Sequence, residues 1–400
     1  MGSTDIPDLQ KLYSRALELH GQDKPDQAVA LYERILTHIP DADLVQYNMG
    51  LALYALEEFG AASTAFLRAT EINPADPDYW FNGALALKQA GEFAQALAAY
   101  ETAHALQPGD MDILYNMGCC HQAAGDRVEA VAAYEKVVAV SGNHSSALSN
   151  LAYCTHLQGD YDRAAVLYRR LLALRPDHTA AGYMLDALEG KNTSAPPPEY
   201  VRRLFDGYSE NFDHDLLENL SYRVPQLLRS LLVDAVGPGC KEKRVVDLGC
   251  GTGLSGLAVA EYASSLTGVD LSPKMVEEAE KKGCYDELIV GDVVECLIGL
   301  SEPVDLLLAA DVFTYIGDLN PLFQAASGGV QPGGLFCFST ERGDDEDWQL
   351  RVTGRYGHSR SYVQALVDKV GFQVLACKGV DIRKERGGWI AGDLYLLQKI

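Results

Sequence analysis

From residue 9 to residue 178, apolar and small positions recur at helical spacing inside a unit that itself repeats every 34 residues. Prolines stand at Pro40, Pro74, Pro108 and Pro176, with Gly142 at the place where the step of 34 puts the missing one. Small residues Ala28, Ala62, Ala96, Ala130 and Ala164 keep the same step, and aromatics Tyr32, Phe66, Tyr100, Tyr134 and Tyr168 follow four places later. Ala16, Gly50, Ala84, Gly118 and Ala152 form a further column. Residues four apart share a helix face, so each unit reads as helix, short turn, helix and proline-marked exit, with small positions that let helices approach. Gly91-Glu92, Gly125-Asp126 and Gly159-Asp160 are the clearest turns.

The pattern changes beyond residue 240. The stretch RVVDLGCGTGLSGLAVA is an apolar run ending at Asp247, glycines at alternate positions, then small and apolar residues at helical spacing: a strand, a tight turn and a helix start. Strands over 266–270, 287–290, 304–310 and 334–340 then alternate with helices over 273–282, 294–300 and 319–326. A helix over 361–370, a strand over 372–378, a turn at Gly387-Gly388 and a strand over 393–398 close the chain. Such alternation predicts a doubly wound sheet.

Composition narrows the function classes. Four hundred residues predict two or three domains. The nine cysteines are odd in number and include no C-x-x-C pair, which points to core thiols in a reducing compartment and to no metal site. A net charge of −23 opposes nucleic acid over most of the surface, and Arg163, Arg169, Arg170 and Arg175 read as a solvated helix face. The start, MGSTDIPDLQ, has neither a basic nor an apolar run, and no stretch approaches membrane-spanning length. The expectation is a cytoplasmic protein with no membrane or nucleic-acid partner.

The glycine loop carries the candidate chemistry. Glycines open the turn to backbone angles closed to other residues and let a ligand lie against bare main chain. Gly251, Gly253 and Gly256 also fit the G-x-G-x-x-G dinucleotide fingerprint, so two ligand classes compete. Asp247 favours S-adenosylmethionine: an acid there faces a pyrophosphate unfavourably but can reach a methionine amino group.

The 34-residue columns resemble tetratricopeptide repeats. The resemblance implies five repeats and a closing helix near 178–189, giving a first domain over 1–189. It also places Asn48, Asn82, Asn116 and Asn150 on the first helix of each unit, the helix lining the concave surface. An amide can donate and accept at once, so this ladder suits the main chain of a bound peptide; the competing reading is that it completes interhelix hydrogen bonds. GKNTSAPPPE, over 190–199, reads as a stiff linker, and its Asn192-Thr193-Ser194 acceptor motif is discounted.

Residues 200–400 resemble class I S-adenosylmethionine-dependent methyltransferases. Asp247-x-Gly249-x-Gly251-x-Gly253, Asp270 in GVDLSPKM, and Gly291-Asp292-Val293 match that family's motifs in order. The resemblance implies a Rossmann-like α/β domain with a seven-stranded sheet, its last strand antiparallel. Among cofactor residues it implies Asp247, Gly249, Cys250, Gly251 and Gly253 at the loop and Asp270 on the ribose. Leu271, Met275, Gly291, Asp292 and Val293 fall around the adenine, with Ala310 and a lid residue Tyr208 completing the set. Phe205 and Phe212 belong to a segment that folds over the pocket. LFDGYSENFDHDL, GRYGHSRSYVQALVDKVGF and RKERGGWIAGDLYLLQK also resemble bacterial predicted methyltransferases with tetratricopeptide repeats and Williams–Beuren-region methyltransferase-like proteins.

Methyl transfer from a sulfonium depends mainly on holding the acceptor in line, so no universal catalytic residue is required. Candidates are Tyr208, Asp311 and His358, the last set against a packing or helix-start role. Asp311, Phe313 and Tyr315 fall at the mouth of the site, and residues 341–360 form an irregular insertion that could roof it. Arg342, Arg351 and Arg355 could hold an acidic acceptor or pair at the surface. The chain has no Asn/Asp-Pro-Pro-aromatic motif and no Pro-Cys after its fourth strand. These readings converge on a methyltransferase whose repeats recruit a protein or peptide, a short tether raising its local concentration. A small-molecule methyltransferase, a non-catalytic cofactor-binding adaptor and, more distantly, a nicotinamide oxidoreductase are the alternatives.

Overall fold

The computed structural model describes residues 8–207, 212–238, 242–344, 347–385 and 387–400. The chain divides into two compact units, one ending at Pro176 and the other running from Asp177 to Ile400.

The first unit holds five consecutive helix pairs among its described residues: Leu9–Gly21 with Pro25–Leu36, Asp43–Ala55 with Phe59–Ile72, Pro77–Gln89 with Phe93–Leu106, Met111–Ala124 with Arg127–Val140, and Ser145–Leu157 with Tyr161–Leu174. The alanine column from Ala28 to Ala164 is fully buried, and the aromatics from Tyr32 to Tyr168 are buried beside it. The small-residue column is set by contact with those rings. A Cβ on Gly50 would lie 2.7 Å from Phe66 Cε1, and one on Gly118 would lie 2.6 Å from Tyr134 Cε1. Adding a methyl group to such a packed contact costs about 1–3 kcal/mol.

The turns obey the same step. Gly91, Gly125 and Gly159 have left-handed φ values of 79°, 86° and 85°, and the equivalent Asp23 and Glu57 take 59° and 60° without being glycine. Helix starts repeat too. Asp8, Asp76 and Asp110 cap through carboxylate oxygens, and His144 substitutes by accepting from the Ala147 amide through Nδ1. Ala42, at the equivalent place, has no side chain with which to cap.

The second unit is built on a seven-stranded sheet. Its strands are β1 (Lys243–Leu248), β2 (Ala263–Asp270), β3 (Glu287–Val290), β4 (Val304–Ala309), β5 (Val330–Glu341), β8 (Phe372–Glu385) and β9 (Gly388–Lys399) in the order β3-β2-β1-β4-β5-β9-β8. β9 runs antiparallel to both neighbours, and the ladders from β3 to β5 are parallel. Period-two alternation divides each strand between two cores. Val246 and Leu248 pack with helices Val293–Ile298, Asn320–Gly329 and Arg360–Val370 on one face; Val245 packs with helix Val224–Val236 on the other. Asp247 therefore points with Val245, at the carboxyl end of the strand.

Two expectations need correction. Residues 341–360 are not irregular: Trp348–Leu350 (β6) and Tyr356–His358 (β7) pair antiparallel. β8 and β9 extend well past 378 and before 393, because KGVDIRKE pairs across the hairpin despite its charges.

Helix Thr179–Leu188 falls within the second unit by contact, where Tyr183 OH donates to Gly354 O at 2.9 Å. The 190–199 stretch is held there as well. Asn192 Nδ2 donates to Trp348 O at 2.6 Å and its Oδ1 accepts from the Leu350 amide at 2.8 Å, while Ser194 O accepts from the amides of Gly317 and Asp318. No helix among the described residues is long and apolar enough to cross a membrane.

Candidate active site

β1 delivers Asp247 to the carboxyl edge of the sheet, and the chain then turns through Gly249, Gly251 and Gly253 at φ values of 63°, 53° and 93°. Only glycine takes all three angles without strain. A Cβ on Gly249 would also strike Val312 Cγ2 at 2.6 Å, whereas one on Gly251 would meet nothing nearer than Phe212 Cε1 at 4.0 Å. The loop is pinned to β2. Cys250 N donates to Val269 O at 2.9 Å and Gly251 N to Asp270 Oδ2 at 3.0 Å.

Asp247 is fully buried. Its Oδ2 accepts from Ser255 Oγ at 2.6 Å and Tyr285 OH at 2.7 Å, and its Oδ1 has no partner. Burial pushes this carboxyl up to about 6, against the opposing pull of those two hydrogen bonds and of the nearby Gly256 amide. A cationic group beside Oδ1 would remove that penalty.

Asp270 ends β2 with Oδ2 on the Gly251 amide and Oδ1 on the Ser272 amide at 2.9 Å. Burial still holds it above the usual carboxylate range. Each oxygen keeps a lone pair, so Asp270 can also accept from hydroxyls. Gly291 N donates to Asp270 O at 2.9 Å. Next to it, Asp292 Oδ1 takes the amides of Val294 and Glu295 at the start of the following helix, bonds that leave Oδ2 uncommitted.

The glycine loop has a cover. Helix Pro198–Asp206 and the turns from Phe212 to Asn219 lie against it: Asp206 Oδ1 accepts from Ser272 Oγ at 2.5 Å, and Asp213 takes Thr252 Oγ1 and Lys282 Nζ, the latter at 2.5 Å. Phe205 sits edge-on to Phe212 and to Tyr315, at centroid distances of 6.0 and 5.1 Å. The segment before the first strand therefore folds over the loop.

Beyond β4 the chain bends sharply at Asp311, a non-glycine residue at φ 62° whose amide donates to Ser339 Oγ at 2.9 Å. Its Oδ2 accepts from Arg383 Nη1, and its Oδ1 is buried without a partner. Arg383 also donates to Glu341, which takes Arg351 Nη1 at 2.9 Å and lies 3.0 Å from Arg355 Nε, an ion pair without hydrogen-bond alignment. Arg355 reaches Glu385 as well. Three arginines thus face three carboxylates. Burial raises Asp311, with Arg383 pulling the other way.

Several expected site residues change role. His358 is fully buried: Nε2 donates to the carbonyls of Ile316 and Gly317 at 2.9 and 3.0 Å, Nδ1 is enclosed, and burial pushes its pKa down to about 4. An enclosed, neutral ring packed under the turn is no base. Met275 is fully buried at the third position of a helix capped by Ser272 and offers no surface to an adenine; Cys250 and Val293 are nearly as enclosed, and Leu271 and Ala310 are half-buried. Arg342 shares Asp393 with Arg360, and Arg351 and Arg355 pair with Glu341, so all three are engaged in ion pairs within the domain. Tyr208 lies outside the described residues. Tyr285, Ser255, Asp213, Lys282 and Arg383 were not singled out individually from the sequence, although Ser255 lies in the glycine-loop stretch, Asp213 in LFDGYSENFDHDL and Arg383 in RKERGGW.

The asparagine column has work inside the array. Asn48 Nδ2 donates to Tyr13 OH at 2.9 Å, Asn82 Nδ2 to Tyr47 OH at 3.1 Å, and Asn150 Nδ2 to Tyr115 OH at 3.5 Å and Tyr134 OH at 3.1 Å. Each reaches a tyrosine 35 residues earlier, in the preceding repeat. At Asn116 that place is Phe81, and the amide bonds only its own helix, to Asp112 O at 2.9 Å. Asn48, Asn82 and Asn150 therefore join neighbouring repeats through their amide donors, the interhelix role set against peptide binding, while Asn116 does not.

Residues 246–338 match the family model of a methyltransferase domain, and residues 19–86, 81–136 and 115–179 match models of the tetratricopeptide repeat. Among curated proteins, the chain is 26% identical over 113 residues to a ubiquinone biosynthesis O-methyltransferase of Methylobacterium nodulans, covering 28% of this chain and 45% of that one. It is 27% identical over 124 residues to that of Histophilus somni, covering 29% and 52%. The chain spans about half the length of the curated relatives it matches. Among solved structures, magnesium protoporphyrin IX methyltransferase from Synechocystis PCC 6803 with bound SAH is 18% identical, over 51% of this chain and 99% of that one, with a TM-score of 0.38.

Proposed function

We propose, for a chain that carries tetratricopeptide repeats and a methyltransferase domain, that the second unit transfers a methyl group from S-adenosylmethionine to an oxygen or nitrogen acceptor. The observation that carries this reading is the pair of carboxylates on either side of the glycine loop. Asp247 keeps one buried oxygen without a partner, and Asp270 ends β2 beside the open face of Gly251. The first suits an ammonium and the second a ribose diol. Asp292 Oδ2 would take the adenine amino group, Leu271 would lie on the ring, and Phe205 and Phe212 would exclude water from above.

The sulfonium supplies an electrophilic methyl group, transferred in line. The protein's part is to hold, desolvate and orient. In the first unit the repeats serve, on this reading, to bind a protein partner or substrate. The chain's helical stacking supports that role, while the amide donors of Asn48, Asn82 and Asn150 are engaged between repeats. Isothermal titration with S-adenosylmethionine and S-adenosylhomocysteine tests the catalytic half; absence of binding by both would overturn it.

A further inference from the structure

Among the described residues of the second unit, two carboxylate oxygens are buried without a partner, Asp247 Oδ1 and Asp311 Oδ1. They belong to one neighbourhood. β1 and β4 are adjacent strands, Val312 packs against Gly249 of the loop, and the Tyr222 phenol lies within electrostatic reach of both acids. Asp247 has a ligand group on the cofactor reading, and that accounts for only one of the two oxygens.

Asp311 is held as a fixed acceptor. Arg383, itself 5% exposed, anchors Oδ2, the Ser339 hydroxyl fixes the amide, and a left-handed backbone that few non-glycine residues adopt sets the direction of the side chain. Strain of this kind persists where surroundings over-determine it. Among the described residues, the arginines that reach this cluster, Arg351, Arg355 and Arg383, are each paired with Glu341, Glu385 or Asp311 itself. Among the described residues of this cluster, three guanidinium groups are matched by three carboxylates, with no surplus cation to receive an anionic acceptor.

We propose that Asp311 Oδ1 faces the transferred methyl group and receives the acceptor, which is a protic nucleophile, a hydroxyl or an amine, and not a carboxylate. As the acceptor atom bonds to the methyl carbon, the carbon–sulfur bond breaks with its electron pair on sulfur, and the acceptor's proton passes to Oδ1. A carboxylate acceptor would bring two negative groups together beside arginines that have none of their charge to spare. The proposal rests on the cofactor reading above.

Sinefungin tests it without knowledge of the natural acceptor, because an amine-bearing carbon replaces the methylated sulfur and so places N–H donors where the methyl group stands. Calorimetric titration of the full chain should show sinefungin binding at least about ten-fold tighter than S-adenosylhomocysteine, which lacks that group. In Asp311→Asn, which tolerates the same backbone and keeps an oxygen for Arg383, the preference should fall to within about two-fold while S-adenosylhomocysteine affinity holds. A wild-type chain without the preference, or a variant that keeps it, overturns the assignment; the wild-type comparison decides even where the variant fails to fold. Failure of S-adenosylhomocysteine to bind the wild-type chain would instead remove the cofactor reading, and the proposal with it.

Discussion

The hydroxyl of Tyr285 donates to Asp247 Oδ2 at 2.7 Å, and the same hydroxyl lies 2.3 Å from where a Cβ on Gly256 would stand. One ring therefore supports the acid and fixes the residue type in the helix beside it. Because burial pushes Asp247 up to about 6, its ionisation works against the folded state: the stability it contributes is present below the unfolded value near 3.8 and is lost as pH rises through about 6. A bound ammonium reverses the preference. Affinity for S-adenosylhomocysteine should thus fall below pH 6, by at most about ten-fold per pH unit, and Tyr285→Phe should move that midpoint upward. Titrations at several pH values check both; a flat profile contradicts the role of Asp247.

Asp270→Ala removes an acceptor for the ribose and releases the Gly251 amide at once. Charge-assisted hydrogen bonds contribute about 1.5–3 kcal/mol, so affinity for S-adenosylmethionine should weaken by roughly ten- to a hundred-fold. Circular dichroism should show the fold intact. Unchanged affinity by calorimetry would remove Asp270 from the site.

Asn82 and Asn116 occupy the same column but differ in reach. Asn82→Ala breaks a bond to Tyr47 in the preceding repeat and should cost about 1 kcal/mol, whereas Asn116→Ala loses a bond within its own helix and should cost less than about 0.5 kcal/mol. Urea denaturation measures the difference. Equal costs would contradict the repeat-joining role.

Much of this was legible in the sequence, for identifiable reasons. Helix pairs and parallel strands announce themselves because burial imposes a period, and the glycine loop because φ values near 60–90° demand glycine. The partners of the asparagines were also on the page, as Tyr13, Tyr47 and Tyr115, with the break at Phe81 marking the odd member; nothing in one column alone says that another column answers it. Arg383 was hidden differently. It sits in a charged strand that reads as exposed, and its partners Asp311 and Glu341 are 72 and 42 residues away. β6 and β7 have three residues each, too few to show a period.

Glu57 takes the left-handed turn position that later repeats give to glycine. A side chain there costs roughly 1–2 kcal/mol, part of which the greater freedom of an unfolded glycine offsets. Glu57→Gly should raise stability by about 1 kcal/mol in chemical denaturation. A loss of stability would mean that the exposed Glu57 side chain contributes more than its backbone strain costs.

The most direct test of the catalytic reading is parallel isothermal titration of the full chain with S-adenosylmethionine, S-adenosylhomocysteine and NAD. The two carboxylates flanking the glycine loop predict saturable one-to-one binding of the first two and none of the third. Binding of NAD alone, or of none of the three, would contradict it.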